Sequence, residues 1–188
     1  MVQAIAKRKL RWSGKCLNDD DARVVGFIIA HSLCLTDLDL GGNAITDVGA
    51  IAIAEGIMQT HAPLATVVLG PNKIGDAGAA ALGEALRISR APLDLRLHFN
   101  PIGDVGATAI AKGLAVANAP VHQAVHTLWL SSNKIGPIGA AAIGVSRFPL
   151  RIAHSDACQC NCNGHAAAGN TPSLPKIMMG VAGWVGGG

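Results

Sequence analysis

Cys158, Cys160, Cys162 and His165 form the densest set of metal-binding side chains in the sequence. Three thiolates and an imidazole are an adequate donor set for tetrahedral zinc. Their spacing argues against it. Cys-x-Cys-x-Cys places donors two residues apart, unlike the Cys-x2-Cys knuckle of structural zinc, and no second knuckle follows within about 12 to 20 residues. These four are the only metal candidates, and the expectation is no bound metal and no cofactor. The chain has 5 cysteines, an odd number, and Cys16 and Cys34 stand alone. A disulfide framework is therefore not expected, and a reducing, cytoplasmic compartment is.

Catalytic arrangements are equally absent from the sequence. Of the 7 histidines only His98 falls where an exposed strand face is expected. There is no Gly-x-Ser-x-Gly, no His-Glu-x-x-His and no Gly-x4-Gly-Lys-Ser/Thr. Gly70-Pro71-Asn72-Lys73 looks superficially like a phosphate loop, but a repeat frame explains it. The expectation is no enzyme.

That frame is set by Asn43, Asn72, Asn100 and Asn133, at intervals of 29, 28 and 33 residues. Each is followed two residues later by Ile and six later by Gly-Ala. A period of this size belongs to a solenoid of stacked supersecondary units. Before each Asn runs an apolar comb: Leu35-x-x-Leu38-x-Leu40, Leu64-x-x-Val67-x-Leu69, Leu95-x-Leu97 and Val125-x-x-Leu128-x-Leu130. Period-two leucines face one side of a short strand. The Asn amide, both donor and acceptor, can satisfy backbone groups of its own coil and the adjoining one.

After the Asn, Asp47, Asp76 and Asp104 are expected as N-caps or first-turn acids of helices. The buried helical stripes read Ala50, Ile53, Ala54, Ile57, then Ala79, Leu82, Gly83, Leu86, then Ala107, Ile110, Ala111, Leu114. In the fourth unit Pro137 replaces the acid and the stripe reads Ala140, Ile143, Gly144. Ala62-Pro63, Ala91-Pro92 and Ala119-Pro120 stop the helices.

The strings LTDLDLGGNAITDVGAIAIAEGI, LATVVLGPNKIGDAGAAALGEAL, LDLRLHFNPIGDVGATAIAKGL and VHTLWLSSNKIGPIGAAAIG carry a resemblance. From Asp20 to Gly144 the chain resembles the ribonuclease-inhibitor-like class of leucine-rich repeats. That class includes Ran GTPase-activating proteins and the sensor end of NOD-like receptors. The resemblance implies an α/β right-handed solenoid, with parallel strands on the concave face and helices on the convex one. It names no partner. A GTPase-activating role of the Ran-directed type is an alternative, although that family has a longer array and an acidic tail not seen here. A ribonuclease-inhibitor role fits less well, because only Cys34 lies within the repeats. A further alternative is a non-functional truncated gene product.

Composition sets limits on partners. The net charge is +3, but residues 1–16 hold Lys7, Arg8, Lys9, Arg11 and Lys15 with no acid. From Leu35 to Leu150, 7 Lys/Arg face 8 Asp/Glu, so the repeats are nearly neutral. No nucleic-acid surface is expected there, and no apolar run reaches the length of a membrane span. Three segments are expected. Residues 1–18 form a disordered basic lead-in, 19–150 an opening cap helix with about four repeats, and 151–188 a disordered Cys/Gly-rich tail.

What remains for function is the concave face, expected to present Asp37, Asp39, Val68, Asp94, Arg96, His98, Thr127 and Trp129. An exposed Trp beside an Arg has the composition of an interaction hot spot. The expected partner is a protein or peptide, with the chain a monomer or part of a longer array. Four strands about 4.8 Å apart span roughly 15 to 20 Å. Such a face offers roughly 200 to 300 Å², against about 800 Å² per partner in an ordinary complex, which favours a peptide or a contribution from loops.

Overall fold

Short strands alternate with helices because the apolar pattern switches from period two to period 3.6 within each repeat. The computed structural model describes residues 7–88, 94–115, 127–145 and 151–152. All lie in one compact unit, Met1–Asp156. The second unit, Ala157–Gly188, lies outside the described residues, and with it the Cys158/Cys160/Cys162/His165 set.

In chain order the elements are β1 (Lys9–Arg11), α1 (Asp19–His31), β2 (Asp37–Asp39), α2 (Asp47–Gln59), β3 (Thr66–Val68), α3 (Asp76–Ile88), β4 (Asp94–Arg96), α4 (Asp104–Ala115), β5 (Thr127–Trp129), α5 (Pro137–Val145) and β6 (Arg151–Ile152). The strands form one parallel sheet in sequence order. Leu10, Leu38, Val67, Leu95, Leu128 and Ile152 stand in register across it. Parallel strands joined by helices take the right-handed crossover, and the result is an α/β solenoid.

The comb leucines and the helical stripes meet in a single core. Leu35, Leu38, Leu40, Ile45, Ile53 and Ile74 are all fully buried. The stripes of α2, α3 and α4 are buried as their periodicity predicts. In α5 only Ile143 of the expected stripe is buried, while Ala140 and Gly144 are exposed. Among the described residues α5 has a helical neighbour, α4, on one side only.

Two ladders fasten the repeats. In the first, Asn72 Nδ2 donates to the carbonyls of Leu69 in its own coil (2.8 Å) and Leu40 in the previous one (3.0 Å), while its Oδ1 accepts from Ile45 N (3.0 Å). Asn100 repeats this with Leu97, Leu69 and Ile74, and Asn133 with Leu130, Leu97 and Ile102. Asn43 holds the coil of β1 through Trp12 O, Lys15 N and Leu17 N. The chain enters Asn43, Asn100 and Asn133 with positive φ at Gly42, Phe99 and Ser132, and Gly14 has the same geometry before Lys15. Gly42 fits that geometry freely, whereas Phe99 and Ser132 adopt it at a cost of about 1 kcal/mol each. The second repeat uses a cis Gly70–Pro71 bond instead.

The second ladder decides between the two roles expected of Asp47, Asp76 and Asp104: they are first-turn acids, not N-caps. Thr46 is the N-cap of α2, and Asp47 is its first-turn acid. The Asp47 carboxylate accepts from Gly75 N (2.6 Å) and Gly78 N (2.9 Å), at the start of the next helix. Asp76 does the same for Gly103 and Gly106, and Asp104 for Gly136 and Gly139. Each acid therefore supplies an acceptor to its successor's unpaired N–H groups. Asp19 begins the series by accepting from Thr46 N, Thr46 Oγ1 and Gly49 N. Burial acts to raise the Asp19 pKa, but these hydrogen bonds and Arg23 outweigh it and hold the carboxyl below its ordinary value.

The ends differ from expectation too. The lead-in 1–18, expected to be disordered, contributes β1, whose Leu10 is buried in the core. With α1 it makes a complete unit in which Lys15 takes the Asn position. Lys-Leu-Arg alternates like the other strands, and burial of Leu10 against β2 overrides the repulsion among its cations. Among the described residues there are five strand–helix units, where an opening cap helix with about four repeats was expected. At the other end Arg151–Ile152, assigned to the tail, pairs with β5. Residues 153–188 lie outside the described residues.

Helix packing tightens in pairs. A Cβ on Gly56 would collide with the carbonyl of Gly26, and one on Gly113 with that of Gly83, so α1–α2 and α3–α4 touch backbone to backbone. Gly56→Ala should destabilise by about 1 to 3 kcal/mol, although the same change in an open helix would gain up to about 1 kcal/mol. Asn72→Ala should cost about 1 to 3 kcal/mol by stranding Leu40 O, Leu69 O and Ile45 N. Urea unfolding followed by circular dichroism reads both, and unchanged midpoints would refute these roles.

Candidate functional site

Strand alternation sends the residues between the comb leucines to the sheet's open face. Because the strands are in register, these residues fall into rows. One row runs Lys9, Asp37, Thr66, Asp94, Thr127, and the next Arg11, Asp39, Val68, Arg96, Trp129. All the expected face residues, Asp37, Asp39, Val68, Asp94, Arg96, His98, Thr127 and Trp129, are half-buried. The sheet brings them onto one surface, with His98 two residues beyond the end of β4.

That surface divides by charge. At its β1–β2 end Lys9 Nζ lies 3.3 Å from Asp37 Oδ2, and Arg11 is in register with Asp39. Thr36 Oγ1 also donates to Asp37 at 2.7 Å. This bond, ahead of the Lys9 contribution, holds the Asp37 carboxyl below its ordinary value against the opposing effect of burial. The Asp39 carboxylate is turned to its own backbone, accepting from Gly41 N at 3.0 Å. These two acids are already engaged.

The β4–β5 end differs. The Arg96 guanidinium carbon sits 5.2 Å from the Trp129 ring centroid, within cation–π range. The His98 ring stands 6.4 Å from Trp129 and 5.7 Å, edge-on, from Phe99. Among the described residues Arg96 makes no salt bridge. Arg96 Nε and His98 Nδ1 are buried without a hydrogen-bond partner. A Cβ on Gly70 would strike the His98 backbone and come within 2.9 Å of Nδ1, so only glycine fits beside that ring. Burial lowers the His98 pKa, and the neighbouring Arg96 charge lowers it further. The imidazole is therefore neutral near pH 7, and the cluster's charge rests on Arg96.

A family model described as Leucine Rich repeat matches residues 31–54, 63–83, 93–111 and 123–144. The chain carries leucine-rich repeats. These four matches coincide with the Asn-centred units found from the sequence. No curated protein matches the chain. Leucine-rich repeats are generally non-enzymatic modules that bind proteins, which sets the coarse function. Among the described residues no helix is long and apolar enough to cross a membrane. Nor do any three His, Cys, Asp or Glu stand where they could share a metal ion.

Two features of the face were missed in the sequence. Lys9 and Arg11 belong to it, because β1 extends the sheet past β2. The signal was present: Lys9-Leu10-Arg11 precedes Asp37-Leu38-Asp39 by 28 residues, one repeat. Arg151 and Ile152, assigned to the tail, extend the sheet at its other end as β6, beside Thr127 and Leu128.

Removing the Arg96 charge should raise the His98 pKa in Arg96→Met, towards but not reaching the ordinary 6.5, because burial remains. In the wild type, stability held by neutral His98 is lost as pH falls from 6.5 through the depressed folded value. Histidine titration by NMR measures the shift, and an unmoved or lowered midpoint would contradict the assigned cause.

Proposed function

We propose that the chain is a non-catalytic interaction module whose concave face, centred on Arg96 and Trp129, binds a protein or peptide ligand. The observation that carries this reading is the cation stacked on a half-buried indole, with no anionic partner among the described residues. Tryptophan and arginine are enriched among residues that dominate binding energy, and Trp129 offers a rigid apolar surface. The engaged acids Asp37 and Asp39 lie at the far end of the face and supply register rather than the main contact. Asp94, His98 and Thr127 border the Arg96–Trp129 pair, and Val68 adds an apolar neighbour in the adjacent strand.

Size supports an extended ligand. Six strands at about 4.8 Å spacing give a face roughly 24 Å wide, wider than four strands allow. It is still small beside the surface of a standard protein complex. A peptide crossing the strands would use it most fully. The ribonuclease-inhibitor-like resemblance and a cytoplasmic location belong to the same reading. They are supported by the Asn-centred frame and by cysteine usage respectively.

Affinity capture from source-cell lysate, comparing wild type with Arg96→Glu/Trp129→Ala, tests the site. A protein retained by wild type and lost by the variant is expected, with circular dichroism showing the two folded alike. Equal recoveries from two folded proteins would remove this face from the binding surface.

A further inference from the structure

β1 is the edge of the sheet, and among the described residues no strand lies beyond it. Its pairing fixes which backbone groups stay open. Arg8 O accepts from Thr36 N and Asp37 N, and Trp12 N donates to Asp39 O, so the even-numbered residues face β2. Alternation along a parallel ladder then turns the N–H and C=O of Lys9 and Arg11 to the open edge.

Those open groups sit beneath exposed cations. Lys7, Arg8, Lys9, Arg11 and Lys15 are all exposed, and no acid precedes Asp19 in the chain. Cations on an edge repel basic strands and must be desolvated to pair with neutral ones, a usual guard against aggregation, but an acidic strand meets the opposite field. β2 already shows which strand chemistry this edge residue pattern accepts. Its Asp37-Leu38-Asp39 lies in register against Lys9-Leu10-Arg11, with Lys9 Nζ 3.3 Å from Asp37 Oδ2. Lys9 and Arg11 can present the same charges to a strand on their other side.

An apolar cleft opens at the same end of the unit. Trp12, Leu17, Val24 and Val25, together with Lys15 and Asp21, line a cavity of about 440 Å³. Trp12 and Leu17 pack against the core, and Val24 is 44% exposed. The apolar residue between two acids of an added strand would point to this core side, as Leu38 does in β2.

We propose that the β1 edge binds an acidic extended peptide as an added parallel strand, its acid–apolar–acid sequence meeting Lys9 and Arg11 and filling the cleft beside Trp12. Main-chain bonds give such strand addition its affinity and the alternating side chains its selectivity. A nucleic acid would satisfy the cations but neither the edge amides nor the cleft. This surface is separate from the Arg96–Trp129 cluster, and either can fail alone.

The test uses the full chain and a fluorescein-labelled peptide containing Leu-Thr-Asp-Leu-Asp-Leu, the sequence of residues 35–40, read by fluorescence anisotropy. Saturable binding is expected. It should weaken about tenfold or more when both acids become Asn, and equally when the peptide amides that pair with β1 are N-methylated. Lys9→Gln/Arg11→Gln should weaken it similarly, and Lys9→Glu/Arg11→Glu should accept a Lys-Leu-Lys peptide instead. Absence of binding, equal affinity for the Asn or N-methylated peptides, or equal affinity for an oligothymidylate would overturn the proposal. If the charge variants do not fold, the N-methylated comparison on the unaltered protein decides.

Discussion

Stacking open coils on one another buries backbone groups that no helix or strand can pair, and an asparagine amide in four successive coils resolves that difficulty. Asn72 shows the geometry most plainly: two donors reach carbonyls in successive coils, and the oxygen receives an N–H from the coil before. An unpaired buried backbone group costs about 1 to 3 kcal/mol, and each Asn removes several. The spacing of these bonds, close to one repeat each, also fixes strand register. Strand register in turn determines which side chains share a row of the open face.

The aspartate ladder does the same work on the helical side with charge added. A carboxylate beside a helix N-terminus meets both unpaired N–H groups and the positive end of the helix dipole. Because Asp47, Asp76 and Asp104 accept hydrogen bonds from the start of the following helix, each repeat is completed by its predecessor. Stability in such an array depends on neighbours, so the two ends are where structure and surface depart from the repeat. At the first unit Lys15 replaces the Asn and an apolar cleft stays open. At the fifth, Pro137 replaces the acid and most of the helical stripe is exposed.

Function then falls to what the scaffold does not use. The core residues and the two ladders are fully engaged, and so are Asp37 and Asp39 on the open face. Arg96, Trp129 and His98 are held by stacking and burial rather than by ion pairs. This difference separates a half of the sheet face whose acids are engaged from a half whose cation has no ion pair among the described residues.

The repeat was legible in the sequence because its determinants are local: Leu-x-Leu specifies a strand, Asp-x-Gly-Ala a helix start, and the Asn interval the period. Those patterns determined the parallel sheet, the buried stripes of α2, α3 and α4 and the outward row from Asp39 to Trp129. The tertiary structure alone decided where charged and polar groups find partners across repeats. Asp47 reads as a cap for its own helix, yet its acceptors meet N–H groups about one repeat away. Lys9 and Arg11 read as a solvated lead-in, yet burial of Leu10 against β2 carries them onto the sheet. Local propensity fixes the type of each element, while the contacts between repeats, distant in sequence and close in space, decide what each polar side chain does.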